Sequence, residues 1–134
     1  MKAVLVAVFS SHPFFDVFSE DEFLRAIFSG PRHPENFFMA PVVFNNSSFS
    51  TISNFEDGHG TFLIKDGEIF MSNAGRQLIF KKRYLDPKDE NIFPYEVIYN
   101  LTEVSHGKFS GEYKVDSRDD KSEGFALCML LYPM

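Results

Sequence analysis

The chain has 134 residues, enough for one domain with its own core and too few for two ordinary ones. Its formal net charge of −6 disfavours non-specific nucleic-acid binding, which needs cations to replace phosphate counterions. Its one cysteine, Cys128, excludes an internal disulfide and fits a reducing, cytoplasmic setting. Seventeen Phe and five Tyr stand against no Trp, which implies either a Phe-packed core or an aromatic-lined cavity for an apolar ligand.

Residues 3–9 form a continuous Val-rich apolar run and read as a buried strand rather than a signal peptide, since no small-x-small cleavage site follows. A helix is expected over 19–29. Ser19 is its N-cap, Glu22 completes a capping box, and Phe18 and Phe23 form a hydrophobic staple. Glu20, Asp21 and Glu22 suit the positive end of the macrodipole, Phe23/Ile27 and Leu24/Phe28 make an apolar stripe, and Gly30-Pro31 stops the helix. Phe37 to Phe44 reads as a strand in which Pro41 marks an edge or a break. Ser48 to Asn54 suggests a short strand before a loop at Glu56-Asp57-Gly58-His59-Gly60.

From Thr61 onward the pattern is a meander. Asp66-Gly67 is the strongest hairpin signal, expected to join Thr61–Lys65 to Glu68–Ser72 and to pair Lys65 with Glu68. Asn73-Ala74-Gly75 is the next turn, and Gln77 to Tyr84 the next strand. Tyr95, Val97, Tyr99 and Leu101 share one strand face, and Phe109, Tyr113 and Val115 share another. Between Phe109 and Tyr113, Gly111 suits a bend or a close backbone approach. A charged loop over 116–124 precedes a final apolar strand, Phe125 to Tyr132. Residues Gly107 to Tyr113, with that final strand, resemble the closing hairpin of small calycin-type barrels over less than a fifth of the chain. The expected class is therefore α+β, mainly β: one domain over 1–134, an antiparallel meander of about seven to nine strands, as a curved sheet or small barrel, with one helix.

No stretch carries a catalytic, nucleotide or metal motif, and no cofactor is expected. His12, His33, His59 and His106 lack zinc spacing, and 116–124 fails the calcium-loop pattern. A hydrolytic role for a histidine with Lys82 or Glu112 has no local signature. Arg76, Lys81, Lys82 and Arg83 form the one basic cluster and are candidate anion contacts, or a charge-guarded strand in which Lys82 faces away from Lys81 and Arg83. Glu56, Asp57, Asp116, Asp119, Asp120 and Glu123 are candidate contacts to a basic protein. Tyr95, Tyr99, Phe109 and Tyr113 are candidate walls of a ligand cavity.

Two functions lead, ahead of a third, an enzyme with a loop-borne site at the four histidines and Glu112. The first is a non-catalytic protein-binding module, such as an inhibitor, immunity or antitoxin-like partner of a basic protein. The second is a small apolar-ligand carrier built on a β-barrel. Neither nucleic acid nor membrane is expected as a partner. An empty barrel interior favours the carrier, and a filled one favours the binding module.

Overall fold

A computed structural model describes residues 1–10, 37–57, 60–87, 96–116 and 123–132. Nine strands are described: β1 (Lys2–Ser10), β2 (Phe37–Asn45), β3 (Ser48–Ser50), β4 (Phe55–Asp57), β5 (Gly60–Ser72), β6 (Gly75–Pro87), β7 (Glu96–Ser105), β8 (Lys108–Asp116) and β9 (Glu123–Leu131). They run in the order β3-β2-β1-β9-β8-β7-β6-β5-β4, antiparallel throughout, and β3 also pairs with β5. That last pairing closes eight strands into an up-and-down barrel and leaves β4 as an extra strand.

The expected α+β class is corrected to all-β. Every element among the described residues is a strand. The ring buries its apolar side against itself, so no helix is needed to cover an open face. The helix expected over 19–29 lies outside the described residues.

Period-two alternation fills the interior. Leu5, Ala7 and Phe9 face inward from β1, Phe38, Ala40 and Val42 from β2, Leu78 and Phe80 from β6, and Tyr99 and Leu101 from β7. Small Ala7, Ala40 and Ala126 make room for the rings of Phe38, Phe62, Phe80 and Tyr99. On the outer side, Val6, Val8 and Met129 are also buried. Strands β1 and β9 are thus apolar on both faces, which accounts for their unbroken hydrophobic runs.

Asp66-Gly67 is a bulge within β5, not a hairpin. Lys65 lies opposite Lys81 but Glu68 opposite Ile79, so β5 carries one extra residue, with Asp66 at φ 52°. The cause is closure. The bulge turns β5 toward β3, where Gly67 lies opposite Phe49, and a Cβ on Gly67 would sit 2.5 Å from the Phe49 ring. The hairpin turn falls instead at Asn73-Ala74, ahead of Gly75 at φ 113°. Lys65 finds its carboxylate not on Glu68 but on Glu96, 2.7 Å away. Gly111 makes the expected close approach, with the Asn100 carbonyl and the Leu101 Cα against its α-carbon.

One part of the wall is not laddered. β3 and β4 follow each other along one edge of β5, as two halves of a stave broken at 51–54. Of the two, β3 pairs with β2, through Val43, Phe44 and Asn45. Among the described residues no pairing joins β4 to the first half of β2. Phe44 donates its N–H to the Met1 carbonyl, so alternate residues of β2 aim theirs at the other edge, where Pro41 has none to offer.

Candidate functional site

Strand β6 places Leu78, Phe80, Lys82 and Tyr84 on its inward face. The third of these puts an ammonium inside the barrel, and Lys82 is 0 % exposed. Four rings surround its Nζ: Phe38 at 4.0 Å from the centroid, Phe62 at 4.5 Å, and Phe9 and Tyr84 at 5.0 Å. The ring faces offer cation–π attraction, which strengthens when water is excluded.

The counter-ion comes from β4. Alternation along Phe55, Glu56 and Asp57 leaves Glu56 exposed and sends the Asp57 carboxylate inward. Its Oδ2 meets Lys82 Nζ in a buried ion pair and accepts a hydrogen bond from the Tyr84 hydroxyl at 2.5 Å. Its Oδ1 accepts from the Gly60 N–H at 3.2 Å. Among the described residues one ammonium, one phenol and one backbone amide thus form a seat for a carboxylate. Burial pulls the Lys82 ammonium down to about 8, against the raising influence of Asp57 beside it.

Below the seat the rings are in contact. Phe80 and Tyr99 stack at 4.5 Å with planes 13° apart, Phe38 meets Phe62 edge-on at 5.3 Å, and Phe9 meets Tyr113 edge-on at 5.8 Å. Burial pushes the thiol of Cys128 up, and Cys128 also faces this core. A separate depression of about 560 Å³ lies over the β3–β5 closure, lined by Val43, Phe49, Lys65 and Glu68 among others, and shares no residue with the seat.

The structure separates the basic cluster. Lys82 is inside, whereas Arg83 is exposed. Arg76 bonds Glu103 at 2.8 Å and lies over Phe109, and Lys81 stands 3.6 Å from Asp66. Lys65, with help from Lys81 and Arg83, holds the Glu96 carboxyl below its usual range. Arg76 and Lys81 thus already have carboxylates of their own. Of the expected protein contacts, Glu56 and Glu123 are exposed, while Asp57 is interior. Asp119 and Asp120 lie outside the described residues, and of Asp116 only the backbone is described. Tyr99, Phe109 and Tyr113 face the interior, and Tyr95 lies outside the described residues. His106 is exposed at the β7–β8 turn, and the other three histidines lie outside the described residues. Among the described residues no three His, Cys, Asp or Glu side chains gather as metal ligands.

Reasoning from sequence missed the pairing of Lys82 with Asp57. Alternation signalled half of it, because Lys82 follows Leu78 and Phe80 at period two and precedes Tyr84. Nothing local signals Asp57, which is 25 residues away.

No protein-family model, no curated protein and no solved structure matches this chain.

Proposed function

We propose that the protein binds a small amphipathic molecule inside its barrel, at the Lys82 end. The observation that carries this reading is the fully buried Lys82–Asp57 pair inside a ring of four aromatic side chains. An ion pair in the interior adds little to stability compared with apolar residues of the same volume, because desolvation offsets its attraction. Perturbed ionisable groups in an aromatic chamber are instead what orients a ligand with one polar end. An eight-stranded barrel is the size that encloses either its own side chains or one small ligand. The rings now in contact must part to admit one, so binding involves a rearranged interior rather than a standing cavity.

The test is an aromatic-proton NMR titration with a matched ten-carbon series: decanoate, decan-1-ol and decylamine. Saturable shifts on Phe38, Phe62 and Tyr84 support the proposal. Their absence for all three compounds, with the fold intact, refutes it.

The filled interior favours a second reading, the non-catalytic protein-binding module. Ring packing of this kind is what a barrel acting through its surface needs, and the charge of −6 suits a basic partner. On this reading one stoichiometric, salt-sensitive complex forms with a basic protein and leaves the interior rings unshifted.

A further inference from the structure

We infer, resting on interior binding, that the ligand is an apolar carboxylate whose head group replaces Asp57 on Lys82, Tyr84 and the Gly60 amide.

The described donors of the seat already suit a carboxylate. The seat offers an ammonium, a phenol O–H and an N–H to two carboxylate oxygens, and its walls are aromatic. This combination matches a carboxylate on an aryl or alkyl body. A neutral alcohol would leave the ammonium unpaired, and an amine would bring a second cation into the same chamber.

The present occupant is positioned to leave. The barrel closes through β3, so β4 is not required for closure. Among the described residues β4 pairs only with β5, over three residues. Its other edge faces the first half of β2 without a ladder, beside Pro41. Swinging β4 outward would withdraw Asp57 and open the wall at the level of Phe38 and Phe62 in one motion. Asp57 thus acts as an internal stand-in that keeps Lys82 paired while the chamber is empty of ligand, and the ligand must outcompete it. Occupancy is set by the difference between the two carboxylates, so removing the internal one raises affinity.

The experiment compares decanoate with decan-1-ol by calorimetry in the wild type, Asp57→Asn and Lys82→Met. Asp57→Asn is expected to bind decanoate at least about tenfold more tightly than the wild type does, with little change for the alcohol. Lys82→Met is expected to lose the preference for the acid. In the unmutated protein, decanoate is expected to speed amide exchange in the β4–β5 ladder, which the alcohol leaves unchanged; this readout holds even where a variant fails to fold. If decan-1-ol binds inside and Asp57→Asn favours decanoate no more than the wild type does, the carboxylate assignment is overturned while interior binding stands. If neither compound binds inside, both fall.

Discussion

Lys82→Met removes the buried ammonium while keeping an unbranched side chain among the rings. The Asp57 carboxylate then stays buried without its ammonium, keeping the Tyr84 hydroxyl and the Gly60 amide as donors. Breaking a buried pair from one side costs about 3–5 kcal/mol, a large share of the roughly 5–15 kcal/mol that stabilises a domain of this size. The opposite change, Asp57→Asn, is expected to cost less, about 2 kcal/mol. Lys82 keeps four ring faces, each contributing about 0.5–2 kcal/mol to a desolvated cation, and its proton is already loosely held. The double variant has no stranded charge and is expected to be more stable than Lys82→Met alone. Urea unfolding of the four proteins at pH 7, analysed as a double-mutant cycle, measures these differences. The reasoning is refuted if Lys82→Met loses less than about 1 kcal/mol, or if Asp57→Asn is the costlier change.

The same lysine sets a pH dependence. Below pH 8 both folded and unfolded chains hold its proton. Between about 8 and the ordinary 10.5 only the unfolded chain does, so stability rises with pH relative to Lys82→Met. At 1.36 kcal/mol per unit the gain is on the order of 3 kcal/mol over the whole window, and a falling difference between the two unfolding curves contradicts it. The Cys128 thiol, buried and pushed up, is expected to react with a thiol reagent at pH 8 only as fast as the protein unfolds; immediate labelling would show the interior open. Gly111→Ala drives a Cβ into the Asn100 carbonyl and the Leu101 Cα, both backbone, and is expected to cost 3 kcal/mol or more by order of magnitude. The nearest obstacle to Gly67→Ala is the Phe49 ring, a side chain, so it is expected to lower the melting temperature less, with partial recovery on adding Phe49→Leu.

Much of the barrel was legible because its signals are local. Alternation in Val97, Tyr99 and Leu101 reports one buried face, the unbroken run over residues 3–9 reports two, and Pro41 reports an edge. Asp66-Gly67 misled because the same left-handed residue followed by glycine serves both a tight turn and a bulge. Which of these forms depends on Phe49, whose approach from another strand no window around residue 66 contains. The mixed class went wrong because closure is a property of the whole ring: β3 must find β5, and β1 must find β9. The site was half legible for the same reason. Alternation turns Lys82 inward, but its partner arrives on a separate strand.

The β1–β9 ladder sets Val4 opposite Leu131 and Ser10 opposite Phe125. The first and last strands are therefore neighbours, and no gap in the ladder lies between them. Strand order here is circular in the sense that a clock face is. A chain rewired to start at Gly75 and stop at Asn73, with a short linker joining the strand ends at Lys2 and Leu131, would retain every ladder described. It would also move the slowest step of assembly. In the native order the ring closes by bringing together strands more than a hundred residues apart, whereas in the rewired one that pairing becomes local and the β5–β6 hairpin becomes the distant closure.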